Sequence, residues 1–411
     1  MIDIASIAFV FLIFSLISRK LEKTIINAPI FFLISGILIG SDLIKSVGLS
    51  DVRPILLFVS ITTLGLSFFI NAARTGLRAL RGDISLPINL LVFGLPLTVL
   101  LGTLLATWLF PQLKWVEAAL LAVILSPSDT NLISHALNNS RIPARIRQAI
   151  NIESSLNDGL TTPIAAILIA LSQVQFGYAT IKYHLAFPFQ QILVAILAGA
   201  LVGALGGWLL QLAEKKEWVV PSFQGLVLPS LTILALSLSA EFGGNYFIAS
   251  FVAGIFLTFF VKEISQHQIA FSETLTNLLS LLIFLFLGQM LFKLKEEITW
   301  QIFAYALGSL TFVRIMPVAL ALWRKKLHPA SILFIGWFGP RGLASIVLAI
   351  IAVGNLSDIQ HGDAIILVVA VTVSLSIILH GLSAIPFSLW YEKRMEKLPP
   401  EAVEIYIADK I

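Results

Sequence analysis

Residues 151–172 read NIESSLNDGLTTPIAAILIALS. Glu153, Asn157 and Asp158 fall at its start, and the stretch runs without a break into a segment as apolar as the middle of a membrane helix. Ionisable groups at membrane depth are expensive; they face a cavity or a partner and mark an ion or substrate path. On a helix, residues four apart share a face. Ser154 and Asp158 therefore lie together, as do Glu153 and Asn157 on the neighbouring face. The first face offers a hydroxyl and a carboxylate, which are hard oxygen ligands for an alkali cation. The second offers a carboxylate suited to an arginine and an amide to fix its geometry.

The rest of the chain explains why such a segment lies in lipid. Of 411 residues, 58% are hydrophobic and 12% charged, where a soluble domain carries about 25% charged residues. The mean hydropathy is +0.94. These values specify an all-α polytopic membrane protein. With no cysteine, disulfides and thiolate metal sites are excluded. The basic pI of about 9.2 is accounted for by cytoplasmic loops, so no nucleic-acid partner is expected. The first apolar run precedes its basic residues Arg19, Lys20 and Lys23, the reverse of a signal peptide, and reads as a retained span.

A membrane-crossing helix needs about 20 apolar residues. That rule predicts thirteen spans, near 3–18, 27–46, 54–73, 84–110, 115–137, 146–171, 187–213, 222–240, 245–261, 274–292, 299–323, 331–354 and 363–390. Of the 27 Lys and Arg residues, 19 fall in the loops after odd-numbered spans and in the C-terminal tail, six fall on the other side, and Arg314 and Arg341 lie within spans. This asymmetry predicts a cytoplasmic C-terminus and an N-terminus outside.

Five ionisable residues sit at membrane depth: Asp129, Glu153, Asp158, Arg314 and Arg341. A structural ion-pair network is the plain reading, but three acids against two bases leave one carboxylate over. A bare buried carboxylate is costly, so it must hold a proton or a cation, which is the requirement for a proton/cation exchange site. A channel would present a filter loop or charged rings, and neither is visible. An aspartic protease needs two carboxylates sharing a proton, which neighbouring arginines disfavour. No catalytic motif is found, so the chain is not read as an enzyme. His135 is a candidate pH sensor or a plain helix-end residue, and His380 reads as a packed polar side chain.

Two spans carry breaks. Span five, WVEAALLAVILSPSDTNLISHAL, has Pro127 among Ser126, Ser128, Asp129, Thr130 and Asn131; span twelve, SILFIGWFGPRGLASIVLAIIAV, has Gly336, Gly339, Pro340, Arg341 and Gly342. Proline removes a helix hydrogen bond, and freed backbone in a membrane must be satisfied by protein or a wet cavity. Spans 1–6 and 8–13 form two sets of six with span 7 between them, and the broken helix is fifth in each. The pattern predicts inverted repeats with crossing broken helices and a midplane substrate site. Asp129 and Arg341 have the signs needed to neutralise opposite half-helix ends.

NIESSLNDG resembles the E-S-x-x-N-D-G signature of the monovalent cation/proton antiporter superfamily, in the branch of NhaP-type bacterial sodium/proton antiporters and animal exchangers. SPSD resembles that branch's S-P-T-D motif, GPRGLAS its G-x-R-G-x-x-S motif, and NAPIFFLISGILIG its second span. The resemblance implies an NhaA-like antiporter fold and one site where Na+ and H+ compete for Asp158. Asp129, Ser154 and Ser128 would complete the Na+ shell. Asn157 marks the pair typical of electroneutral exchange, Glu153 would pair with Arg314, and Arg341 would support the helix crossing. Transported K+ or Li+ is the alternative to Na+, and no cofactor is implied. The implied domains are interface helices at 1–76 and 217–293, a transport bundle at 77–172 and 294–391, a linker helix at 173–216 and a short cytoplasmic tail at 392–411. A homodimer in a bacterial inner membrane follows from the same resemblance. Ser128 stands where threonine is usual, and Thr130 where many members have proline. A long regulatory tail is not expected.

Overall fold

The computed structural model describes residues 2–21, 24, 26–43, 49–75, 84–137, 139–175, 181–261, 264–354, 361–397, 399 and 404, and every regular element among them is helical. In order these are α1 (Ile2–Leu21), α2 (Ala28–Leu43), α3 (Leu49–Thr75), α4 (Ser85–Asn89), a π turn (Leu90–Gly94), α5 (Leu95–Leu109), α6 (Trp115–Ile124), α7 (Ser134–Leu137), α8 (Ala144–Gln175) and α9 (Ile181–Lys215). Then follow α10 (Val227–Glu241), α11 (Tyr246–Phe260), α12 (Gln266–Lys293), α13 (Trp300–Leu310), α14 (Phe312–Leu322), α15 (Pro329–Trp337), α16 (Leu343–Gly354) and α17 (Gly362–Met395). Among the described residues, seven stretches are long and apolar enough to cross a membrane by length and composition, and four shorter apolar helices accompany them.

Two predicted spans are less regular than the apolar pattern suggests. The span predicted over 84–110 contains the π turn, which ends two residues before Pro96. Pro96 offers no N–H to the Val92 carbonyl and its ring crowds that carbonyl, which the wider π turn accommodates. The span predicted over 299–323 is interrupted at Thr311, whose ψ of −87° falls outside helical values. The Thr311 hydroxyl donates to the Leu307 carbonyl at 2.6 Å. Arg314 consequently lies in the first turn of α14 rather than mid-helix. Hydropathy reports neither feature, because both segments remain apolar on average across the irregularity.

The chain forms two compact units. One comprises Met1–Leu56, Asp83–Asn157 and Leu281–Ile411, and the other Leu57–Gly82 and Asp158–Ser280. In the first, α17 is the central helix, buried along most of its length and packed on α13, α15, α16, α2 and α7. An apolar core joins Leu86 of α4, Ile146 of α8, Leu322 of α14, Phe334 of α15 and Tyr391 of α17. The Phe334 and Tyr391 rings stack at 4.2 Å. This core fixes the ends of the helices that carry the buried charges.

In the second unit, α9 packs along α11 through small residues. A Cβ at Gly199 or Gly203 would overlap the carbonyl oxygens of Ala249 and Ala253. Backbones this close gain dispersion contacts that lipid cannot match. The Gln211 amide spans the same pair of helices, donating to the Phe260 carbonyl at 3.1 Å.

Candidate functional site

Both breaks fall where the prolines and glycines put them. α6 ends at Ile124 and residues 125–129 are non-helical; α15 ends at Trp337 and α16 begins at Leu343. α6 has ten residues and α16 twelve. At a rise of 1.5 Å each piece is about 15–18 Å long, roughly half of a ~30 Å hydrocarbon core.

The two breaks bind each other. The Asp129 N–H donates to the Pro340 carbonyl at 2.8 Å, and the Leu343 N–H donates to Asp129 Oδ2 at 3.1 Å. Asp129 thus caps α16 at an end that carries partial positive charge. Arg341 does the converse. Its guanidinium donates to the Ser126 carbonyl and, at 3.2 Å, to the Pro127 carbonyl, just past the end of α6. Each break supplies the charge that the other break's helix end requires. Arg341 is fully buried and its own N–H donates to Ser376 Oγ of α17 at 2.7 Å. Ser376 Oγ lies 3.1 Å from His380 Nδ1, so His380 is buried in a polar chain behind the break. The His135 side chain lies outside the described residues.

Glycine permits this closeness. A Cβ at Gly342 would overlap Asp129 Oδ2, and one at Gly339 would overlap Arg314 Nε. Gly342→Ala is expected to push Asp129 off the Leu343 N–H and to destabilise the protein by about 1 kcal/mol, the usual cost of a lost cap. Thermal unfolding of the purified protein in detergent reads this directly. An unchanged midpoint would mean that Asp129 holds α16 by another route.

α8 brings its own polar face to the first break. Glu153 and Arg314 form a buried two-pronged pair, with both N···O distances 2.9 Å. Two parallel charge-assisted bonds fix the guanidinium plane as well as its charge. The Asn157 amide donates to Glu153 Oε1 at 3.3 Å and to the Ser126 carbonyl at 3.1 Å. It therefore ties the ion pair to the same carbonyl that Arg341 holds. Ser154 Oγ donates to the Ser128 carbonyl at 2.6 Å. The Ser128 hydroxyl is buried with no hydrogen-bond partner among the described residues. A buried unsatisfied hydroxyl calls for a ligand or water. Asp158 follows on α8, one turn after Ser154, and is 8% exposed. The hydroxyls of Thr161 and Thr162 donate to its backbone carbonyl at 3.2 and 2.9 Å. This helix segment runs up to Pro163, which can donate nothing to the turn before it.

Glu117 is one of the buried acids that the sequence reading did not single out. It is fully buried at the start of α6; it accepts from the Lys114 N–H at 2.9 Å and lies 3.1 Å from His361 Nδ1 at the start of α17. Its place near a span end hid it, although a glutamate three residues past the N-cap supplies one half of a capping box. Glu117→Ala leaves these donors without an acceptor and is expected to cost about 1–3 kcal/mol. Chemical denaturation in detergent would measure it, and a change below experimental error would remove Glu117 from the interactions that hold α6 to α17.

Taken as chemistry, the first unit holds a neutralised ion pair, two charge-capped helix ends, and hydroxyl and carbonyl oxygens gathered at the break. The family profile described as sodium/hydrogen exchanger, transmembrane, matches residues 5–390. The K(+)/H(+) antiporter NhaP2 of Shewanella sp. strain MR-4 is 25% identical over 348 residues, covering 84% of this chain and 59% of the relative. The K(+)/H(+) antiporter NhaP of Alkalimonas amylolytica is 27% identical over 383 residues, covering 90% and 64%. This chain thus spans less than two thirds of the length of either relative. The sodium proton antiporter MjNhaP1 of Methanocaldococcus jannaschii, solved at pH 8, has the same fold, with a TM-score of 0.75, 20% identity, and coverage of 95% of this chain and 99% of that one. With a profile spanning nearly its whole length and an all-helical fold in agreement, the chain belongs to the transmembrane sodium/hydrogen exchanger family.

Proposed function

We propose that the protein is a secondary active antiporter that exchanges a monovalent cation for a proton by alternating access, with both competing for Asp158. One observation carries the reading. α8 holds a carboxylate already neutralised in a buried fork, Glu153 with Arg314, and five residues further along a second, nearly buried one, Asp158. A carboxylate whose charge is permanently balanced cannot trade a proton for a cation. We assign the exchanging role to Asp158, the aspartate of the E-S-x-x-N-D-G signature that NIESSLNDG resembles. The loaded site, with proton or cation, crosses an apolar barrier far more easily than the bare carboxylate, which couples the two flows. If the Glu153–Arg314 pair stays ionised, one cation exchanges for one proton and no net charge moves.

Sodium is the cation of the first reading. Potassium is the second, favoured by the names of the Shewanella and Alkalimonas relatives. Both are bound through hard oxygen, and selection between them rests on the size of the coordinating cage. Thirteen spans in two inverted six-helix repeats, a homodimer built on the interface helices, an outside N-terminus and a cytoplasmic C-terminus in a bacterial inner membrane complete the proposal. The 19-to-6 distribution of basic residues supports that orientation.

The test is proton flux in proteoliposomes holding only this protein. A pH gradient is imposed, Na+, K+ and Li+ are added in turn, and the voltage is clamped with an ionophore. Dissipation of the gradient at a rate unaffected by clamping is the expected result, and the order of the three cations gives the selectivity. Competition at one carboxylate further predicts that the apparent cation affinity weakens about tenfold per pH unit on the acid side, by mass action. A pH-independent affinity there would separate the proton site from the cation site.

A further inference from the structure

Away from the buried charges, α14 and α15 leave a groove of about 330 Å³ lined by Ile315, Ala319, Trp323, Pro329, Ile332 and Leu333. None of these residues carries a charge. Trp323 is 78% exposed, and Arg324, Lys325 and Lys326 follow it directly in the turn that joins the two helices. The turn closes with Lys326 at φ +55°, and the three consecutive cations fall in the chain between two residues that line the groove, Trp323 and Pro329. Arg324 and Lys326 are exposed and Lys325 partly so. None of the three forms an ion pair with a described carboxylate. The acid that reaches this end of α15, Glu404, accepts instead from the His328 N–H at 2.6 Å and from the Ser331 hydroxyl at 3.0 Å.

We infer that this groove and turn form a binding site for one anionic phospholipid, with an acyl chain in the groove and the phosphate against Arg324, Lys325 and Lys326. The two halves of the site match the two halves of such a molecule. A groove in a lipid-facing surface takes any acyl chain, and a basic turn by itself does no more than orient the protein in the bilayer. Together, on adjacent residues, they select a lipid that has both a chain and a negative headgroup. Basic pockets between transmembrane helices on the cytoplasmic side recognise anionic headgroups in this way. Trp323 suits the boundary between the halves, because an indole settles at the level of the headgroups. The location gives the lipid leverage. α14 carries Arg314, and α15 leads into the break at residues 338–342, so an occupant braces two of the helices that frame the buried charges.

The experiment reads lipid binding and not transport, so its outcome is independent of the proposed exchange activity. The purified full chain in detergent is exposed to an equimolar mixture of phosphatidylglycerol and phosphatidylcholine, and the retained lipid is counted by native mass spectrometry. The wild-type chain should keep phosphatidylglycerol over phosphatidylcholine by at least about fivefold, the preference that even one headgroup-contacting cation supplies. The surface variant R324Q/K325Q/K326Q should lose that preference. Ala319→Trp, which fills the groove and keeps the three cations, should reduce retention of phosphatidylglycerol while remaining monodisperse. Equal retention of the two lipids by the wild type would overturn the inference, and so would an unchanged preference in R324Q/K325Q/K326Q or an unchanged retention of phosphatidylglycerol in Ala319→Trp. Displacement of bound lipid by millimolar glycerol 3-phosphate would also overturn it, by assigning the turn to soluble phosphate.

Discussion

Asp158→Asn is expected to reduce cation-driven proton flux to the level of protein-free liposomes while leaving the protein folded. The carboxamide has nearly the same volume as the carboxylate, so packing around a residue that is 8% exposed is preserved. It carries no exchangeable proton and no charge to balance a cation, so neither half of the exchange can proceed. The same helix supplies an internal control. Asn157, the preceding residue, works through hydrogen bonds to Glu153 and to the Ser126 carbonyl, so Asn157→Ala should loosen the break and lower the rate without abolishing coupling. Asp158→Glu keeps the ionisable group on a longer stem and should retain partial flux with altered cation affinity. Wild-type flux in Asp158→Asn would sink the assignment of this residue, and a misfolded protein is distinguished from an inactive one by its elution profile and thermal transition.

The second large effect falls on the Glu153–Arg314 fork. Arg314→Ala strands a carboxylate that is 1% exposed, and truncating one member of a buried pair typically costs about 3–5 kcal/mol. Part of the loss is cushioned by the Asn157 amide, which remains on Glu153 Oε1. The expected outcome is a sharply lowered thermal midpoint and poor recovery from the membrane. The paired change Glu153→Leu with Arg314→Met removes both charges and should recover most of the stability, since well-packed apolar replacements of buried ion pairs are often neutral or better. If exchange survives in the paired variant, the fork is a strut for the break. If exchange fails in a stable protein, its fixed charges shape the field in which the cation binds. A single Arg314→Ala variant as stable as the wild type would contradict the buried, two-pronged geometry itself.

Much of this protein is legible in its residues. Polytopic membrane character follows from composition, because 12% charged residues cannot cover a soluble surface. The positions of both breaks follow from Pro127, Gly339, Pro340 and Gly342, because proline and glycine act on the backbone locally. Sorting of the α8 polar residues into two faces follows from helical periodicity alone, and the structure gives Glu153 and Asn157 one hydrogen-bond network, as that periodicity requires. Everything that depends on which distant residues meet comes from the packing of the helices. That packing aims Asp129 at the N-terminus of α16 and Arg341 at the carbonyls beyond α6, where the sequence supplied only suitable signs. It recruits Ser376 and His380 of α17 behind the break, and it makes Glu117 a buried tie to His361 although its sequence position resembles an ordinary span end. It also interrupts the helix at Thr311, just before Arg314, in a segment that is apolar on average. Hydropathy and periodicity constrain each helix against water and lipid, whereas these contacts join residues up to 244 positions apart, and only the packed fold brings such residues within hydrogen-bond reach.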